Sequence, residues 1–186
     1  MKKLIFLLAG VFMFTGVLAQ KKVGGVVMPP KVEVQGQNLL LNGAGVREKL
    51  WIDLYAAGLY LDQKKSSAPA ILDGEQPMMI KLHILSKLIT SDKMVEAVTE
   101  GFEKATNGNT APIQDEIDSI ISFFREDIQK NDVFDLVYVP AKGVVAYKNG
   151  QEKGVVQGKD FKKALFGIWL SNRPADDSLR DELLGR

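Results

Sequence analysis

The chain has 186 residues, 46% hydrophobic and 25% charged, with 24 Lys plus Arg against 23 Asp plus Glu. These proportions are typical of one globular domain and exclude a disordered protein, while the even charge balance argues against a general nucleic-acid-binding protein. The absence of cysteine excludes disulfides, thiol nucleophiles and cysteine-ligated metals, and the single histidine, His83, argues against a Ser-His-Asp triad or a multi-histidine metal site. We therefore expect no metal and no other cofactor.

The N-terminus has the pattern of a secretory signal peptide. Lys2 and Lys3 precede an uncharged segment, 4–17, and Val17-Leu18-Ala19 provides small residues for cleavage. A membrane anchor is the alternative, but the apolar run is shorter than the ~20 residues that a spanning helix needs. Cleavage after Ala19 would leave an exported, nearly neutral protein without a stable membrane anchor, in the periplasm or outside the cell.

Strand patterns dominate the first half of the exported chain. We expect residues 20–30 to be an irregular lead-in, because Pro29-Pro30 interrupts regular structure, and residues 31–186 to form one domain. Strands are predicted at 31–41 (two short ones around a turn), 50–61 and 77–85. Between them, Asn42–Gly45 is expected to be a flexible loop. Within 50–61, Ala56-Ala57-Gly58 predicts a bend or a close approach of neighbouring atoms.

The apolar spacing then changes to the helical period. One helix is predicted to begin at its cap Ser91, and a second has Pro112 in its first turn. Strands follow at 133–139, 143–147 and 153–157, with Asn149-Gly150 as a hairpin turn. Two final helices are predicted from Asp160 and Ser178. Segregated runs of strands and helices indicate an α+β domain with helices on one face of an antiparallel sheet.

One motif, with the strand that follows it, is similar to the sequence of a known protein family. Gly43-Ala44-Gly45-Val46-Arg47, followed by the strand that ends Tyr55–Leu61, resembles the chalcone isomerase family. Further segments are similar to that family in the same order: Ser91-Asp92-Lys93, the hairpin 144–156, and the stretches 163–170 and 174–179. The resemblance covers 31–185 and is to the bacterial, exported branch of this chalcone isomerase and fatty-acid-binding fold family. It implies an open-faced β-sandwich, in which a layer of helices covers a large antiparallel sheet and a ligand cleft lies between them.

The resemblance also assigns positions to the family's catalytic groups. In the plant enzymes an arginine holds a phenolate oxyanion, while a tyrosine, a threonine, a lysine and an asparagine organise the ketone. The arginine and lysine fall on Arg47 and Lys93, but the tyrosine, threonine and asparagine positions are Thr90, Tyr55 and Ala97. Since only the two cations are retained, we assign no catalytic residue and do not expect chalcone isomerase activity.

Arg47 and Tyr55 together resemble the fatty-acid-binding branch of the family, in which such a pair holds the ligand carboxylate. A guanidinium can form two charge-assisted hydrogen bonds to a carboxylate, and a phenol adds a third donor. Lys93 would add a cation, and Met94, Val98 and Phe102 would line the part that binds the alkyl chain. The leading interpretation is a non-catalytic protein that binds a small amphipathic anion such as a fatty acid.

Other interpretations stay open at this stage. Arg47 could be an exposed side chain beside a turn, Tyr55 and the apolar residues could be ordinary core, and Trp51 and Trp169 are read as packing residues. Arg47 and Lys93 are also compatible with an intramolecular lyase that acts on a chalcone-like conjugated phenol. A third class is a structural or interaction module whose cleft is filled by its own side chains. The sequence does not set the ligand's identity or the oligomeric state.

Overall fold

A large antiparallel sheet and five helices make up the computed structural model, which describes residues 21–186. The strands are β1 (Lys21–Val23), β2 (Val26–Met28), β3 (Lys31–Val34), β4 (Gln37–Lys49), β5 (Ile52–Leu61), β6 (Met78–Ile84), β7 (Val133–Val139), β8 (Gly143–Lys148) and β9 (Gln151–Val156). The helices are α1 (Ala68–Asp73), α2 (Ser91–Ala105), α3 (Gln114–Ser122), α4 (Lys159–Leu170) and α5 (Asp177–Leu183), with a 3-10 turn at Ala111–Ile113.

Strands β3 to β9 form one seven-stranded sheet in sequence order, with every neighbouring pair antiparallel. The helices bury the main core against one face of this sheet, where Ile80, Leu82 and Ile84 alternate with the half-buried Lys81 and His83 along β6. This confirms the α+β fold in which a layer of helices covers a large antiparallel sheet.

The second face of the sheet has a smaller core of its own. The sheet curls so that Gln35, in the β3–β4 turn, lies over the opposite edge and donates a hydrogen bond to the Tyr147 hydroxyl. Lys142 Nζ donates in turn to Gln35 Oε1 at 2.9 Å. Polar contacts between the two ends of the sheet thus hold the curl.

The expected irregular lead-in is wrong for residues 21–28, which form the separate β1–β2 hairpin. Gly24 and Gly25 provide its turn with positive φ angles of 56° and 82°, and Val23 and Met28 are buried in the second core. Pro29-Pro30 therefore follows a hairpin instead of preventing one. The predicted signal peptide, residues 1–19, lies outside the described residues.

The flexible loop expected at Asn42–Gly45 is also wrong, because these residues are buried within β4. Helix α5 lies against them so closely that a Cβ on Gly43 would be 2.0 Å from the Glu182 carbonyl oxygen. The glycines thus permit close approach and do not supply flexibility. Of the bend or close approach expected at Ala56–Gly58, β5 shows no bend, because its pairing with β6 is uninterrupted. A Cβ on Gly58 would lie 3.1 Å from the Tyr60 ring, so neighbouring atoms do approach closely there.

Helix boundaries differ in smaller ways from the expected ones. Thr90, not Ser91, caps α2, and Gly158, not Asp160, precedes α4. Helix α1, which was not predicted from the sequence, forms because Ser67 caps it and a proline occupies its first turn. None of the helices formed by residues 21–186 is both long and apolar enough to cross a membrane.

Candidate functional site

A cavity of about 400 Å³ lies where the β4–β5 hairpin meets α2, α4 and the loop between α4 and α5. This volume is within the range of small-molecule pockets. The lining residues are Arg47, Lys49, Leu50, Ile52, Leu54, Tyr55, Leu82, Leu88, Ile89, Lys93, Met94, Glu96, Ala97, Val98, Glu100, Gly101, Lys104, Ile168, Trp169 and Ala175. The cleft is therefore not filled by the chain's own side chains.

Arg47 and Tyr55 are direct cross-strand partners at this cavity. Opposed residues of an antiparallel pair project to the same side of the sheet with their Cβ atoms about 5 Å apart. The β4–β5 register shifts immediately after this pair, between Arg47 and Glu48. The sheet thus brings a cation and a phenol together, as the sequence predicted, although eight positions separate them in the chain.

The Tyr55 side chain is buried, and its hydroxyl accepts a hydrogen bond from Trp169 Nε1 at 3.0 Å. Burial raises the pKa of the Tyr55 phenol above its ordinary value, and the nearby Arg47 guanidinium offsets only part of that rise. The phenol is therefore neutral at physiological pH. Its proton has no acceptor within residues 21–186, which leaves it available to donate to a ligand.

The half-buried Arg47 guanidinium donates one hydrogen bond to the Ala175 carbonyl. Ala175 is itself held by a backbone hydrogen bond from its N–H to the Ile168 carbonyl at 2.7 Å. In the part of the chain that the structure describes, Arg47 forms no ion pair. A guanidinium has five N–H donors, so most of its hydrogen-bonding capacity remains for a ligand.

Helix α2 places Lys93, Met94, Ala97 and Val98 along one wall of the cavity. Thr90 does not line the cavity, because its side chain accepts the Lys93 backbone N–H at 3.4 Å and caps the helix. The structure thus brings together most of the residues that the sequence assigned to the site.

Phe102 is the one expected lining residue of α2 that lies elsewhere. It is fully buried and its ring stacks on Phe161, with the ring centroids 5.9 Å apart. Phe102 is therefore part of the core that joins α2 to α4.

The charges around the cavity favour an anion. Its cationic side chains are Arg47, Lys49, Lys93 and Lys104, against two carboxylates, Glu96 and Glu100. Glu100 is paired with Lys104 at 2.6 Å, and that hydrogen bond holds the pKa of the carboxyl below its ordinary value. Three cations and one carboxylate remain among the lining side chains. Asp176, outside the lining, is close enough to Tyr55 to contribute to the raised pKa of its phenol. The excess of cations still raises the local concentration of anionic ligands.

The sequence did not assign Trp169 to the site, because its contact with Tyr55 spans 114 positions and depends on α4 lying over β5. The expectation that Trp51 is a packing residue is wrong: its side chain is 93% exposed. Within residues 21–186 no group of three or more histidine or acidic side chains could hold a metal ion.

Comparison with known proteins places this geometry in a family. A family model described as chalcone isomerase-like matches residues 20–185, whereas a search of curated proteins found no match. A crystal structure of a fatty-acid binding protein from Arabidopsis thaliana superposes with a TM-score of 0.69 at 20% identity, over 87% of this chain and 92% of that one. Such a likeness shows a shared fold. Since the family match extends over all but one of the described residues, the chain belongs to the chalcone isomerase-like family.

Proposed function

We propose that this protein binds one amphipathic carboxylate, such as a fatty acid, without chemical conversion. The observation that carries this proposal is the pairing of Arg47 with Tyr55 at a largely apolar cavity. A carboxylate bound there would receive charge-assisted hydrogen bonds from the guanidinium and a further one from the phenol. Trp169 would orient the phenol, because its N–H occupies one acceptor site of the hydroxyl.

The apolar part of the cavity suits an alkyl chain. Leu82, Met94, Val98 and Ile168 line it from both the sheet and the helices. A methionine side chain adapts its shape readily, which suits a wall that must accept flexible chains. The excess of cations then selects ligands whose polar end is anionic.

The loss of ketone-binding groups supports binding over catalysis. Of the four positions that organise the ketone in the plant enzymes, Thr90 caps α2 outside the cavity and Ala97 has no polar side chain. Lys93 and Tyr55, at the other two, line the cavity. A developing enolate would therefore lack two of the four preorganised groups that act in the plant reaction.

We further propose that the protein is exported. Support comes from the basic, apolar and small-residue segments that end at Ala19. The family match begins at residue 20, directly after the expected cleavage position. The shared fold with the fatty-acid binding protein of Arabidopsis thaliana supports the ligand class.

Native mass spectrometry tests this function directly. The chain from Gln20, which contains every described element and the whole family match, should retain fatty acid after purification or bind one laurate per chain. Dodecanol provides the matched control, because it has the same alkyl length and no carboxylate. We expect laurate to bind at least about ten-fold more tightly than dodecanol, since hydrogen bonds to charged groups are the stronger ones.

Absence of a laurate complex, or equal affinity for laurate and dodecanol, would contradict carboxylate binding. Cyclisation of a chalcone above its spontaneous rate, lost in Arg47→Ala, would instead support an intramolecular lyase.

A further inference from the structure

The turn between β4 and β5 has an unusual sequence for its backbone conformation. Leu50 and Trp51 form a two-residue hairpin turn with φ angles of 51° and 66°. This left-handed region is unfavourable for bulky side chains, and such turns prefer Asn-Gly or Gly-Gly.

The other two-residue hairpin turns of the described chain follow that preference. Gly24-Gly25, Gln35-Gly36 and Asn149-Gly150 all have positive φ angles, and each has glycine in the second position. The remaining positive φ angles within residues 21–186 belong to glycine, asparagine, Gln35 and Ala141, so Leu50-Trp51 is the turn that places two large apolar side chains in this region. Residues in sparsely populated backbone conformations cluster at functional sites.

The side chains gain no burial within the described chain. Trp51 is 93% exposed and Leu50 80% exposed. Ile52 and Leu88 are also exposed, so four of the six exposed large apolar side chains within residues 21–186 lie in this region. We call Leu50, Trp51, Ile52 and Leu88 the apolar rim. The name reflects their position at the cavity, which Leu50, Ile52 and Leu88 also line.

We propose that the apolar rim docks the protein on a phospholipid bilayer, so that an amphiphile can pass between the membrane and the cavity. The choice of a bilayer rests on the proposed function, because a membrane is the natural source and acceptor of such a ligand. Continuity between rim and cavity gives the alkyl chain an apolar path that avoids water.

The shape and composition of the rim favour a bilayer over a protein partner. A two-residue turn is a narrow projection that can insert among headgroups, and tryptophan is enriched at membrane interfaces. Lys49 and Lys87 directly precede Leu50 and Leu88, and neither lysine forms an ion pair within residues 21–186. Their amines can contact anionic lipid headgroups.

Two carboxylates limit this attraction. Glu48 and Asp53 face each other across the hairpin and lie outside the cavity lining. We therefore expect apolar insertion to provide most of the affinity, and anionic lipid to strengthen it only moderately.

Vesicle co-sedimentation of the chain from Gln20 tests this docking surface. The wild type should bind phosphatidylcholine vesicles that contain phosphatidylglycerol, and bind neutral phosphatidylcholine vesicles more weakly. Trp51→Gly should lower partitioning about ten-fold or more, as expected for loss of a large inserted side chain. The variant should fold at least as stably, since glycine tolerates positive φ without strain.

Val155→Thr is the matched control, because Val155 is exposed on β9 away from the rim, and its partitioning should equal that of the wild type. Equal partitioning of wild type and Trp51→Gly would overturn the docking surface. So would a wild type that binds no vesicles but forms dimers that Trp51→Gly abolishes, which would assign the rim to self-association.

Laurate affinity in vesicle-free solution separates the two proposals. Laurate binding without vesicle binding would remove the docking surface alone. Vesicle binding that depends on Trp51 would support docking even if laurate did not bind. In that case the missing laurate binding would contradict the proposed ligand and leave the docking surface in place.

Discussion

Lys162, on α4, is a charged side chain buried far from solvent, at 1% exposure. Its Nζ donates hydrogen bonds to the carbonyls of Ile71, Leu72 and Gly74 at 3.1, 2.8 and 2.8 Å, and lies 5.1 Å from the centre of the Tyr138 ring. The lysine thus satisfies carbonyls at the end of α1 that would otherwise lack donors.

Burial lowers the pKa of Lys162 to about 8 from an ordinary value of 10.5. Between these values the unfolded chain binds more protons than the folded one, so the free energy of unfolding should rise with pH. The rise from pH 8 to pH 10 should be about 2 kcal/mol, at about 1.4 kcal/mol per pKa unit, because the folded state is already half deprotonated at pH 8. Denaturant unfolding at a series of pH values measures it.

Lys162→Met is the control for this pH dependence, because it keeps an unbranched side chain of similar length and removes the titrating amine. Its free energy of unfolding should lack the rise between pH 8 and pH 10. Burial raises the pKa values of Tyr55 and Tyr60, so these phenols reduce stability only above about pH 10. A flat wild-type profile, or the same rise in the variant, would show that Lys162 is not responsible.

The sequence predicted the location of some site residues and not of others. The family resemblance located Arg47, Tyr55, Lys93, Met94 and Val98 at one cavity, and the structure places them there. Trp169 and the exposed Trp51 were beyond sequence reasoning, because the same residue type packs in a core or projects into solvent according to its neighbours in space.

At the scale of elements, the contact between β4 and α5 explains the glycines of the family motif. A Cβ on Gly43 would meet backbone carbonyl oxygens of Glu182 and Leu183, at 2.0 and 2.6 Å. A Cβ on Gly45 would meet the flexible Glu182 carboxylate at 1.6 Å. The two glycines therefore differ in how easily their neighbours could move.

Gly43→Ala should lower the free energy of unfolding by about 1–3 kcal/mol, because the added methyl group would overpack against the backbone and force α5 away from β4. Gly45→Ala should cost less, since the Glu182 side chain can rotate away. Denaturant unfolding of both variants at one pH measures the difference. A Gly43→Ala variant as stable as the wild type would show that Gly43 does not serve close packing against α5.

Elements with a strong local pattern could be predicted, and those set by tertiary packing could not. Strands β6 and β7 and the Asn149-Gly150 hairpin follow from apolar alternation and turn chemistry, and the structure confirms them. The same reasoning interpreted Asn42–Gly45 as a loop, because glycine favours both turns and close helix contacts. Only the position of α5 decides between them.

For the whole molecule, the sheet separates two cores, and the cavity opens at one end of the larger one. Helices cover one face, whereas the β1–β2 hairpin and the curl of the sheet cover the other. The family resemblance predicted the helix-covered sheet. It did not predict the curl, which depends on contacts such as Gln35 with Tyr147, 112 positions apart.

The most direct test of carboxylate binding is the laurate affinity of Arg47→Gln, measured by calorimetric titration. Glutamine keeps a polar side chain but is shorter than arginine, so the change removes the charge together with the hydrogen bond to the Ala175 carbonyl. Arg173→Gln is the matched control, because Arg173 is exposed and does not line the cavity. We expect Arg47→Gln to weaken laurate binding about ten-fold or more and Arg173→Gln to leave it unchanged. Equal affinity in the wild type and Arg47→Gln would contradict the assignment of Arg47 as the carboxylate-binding residue.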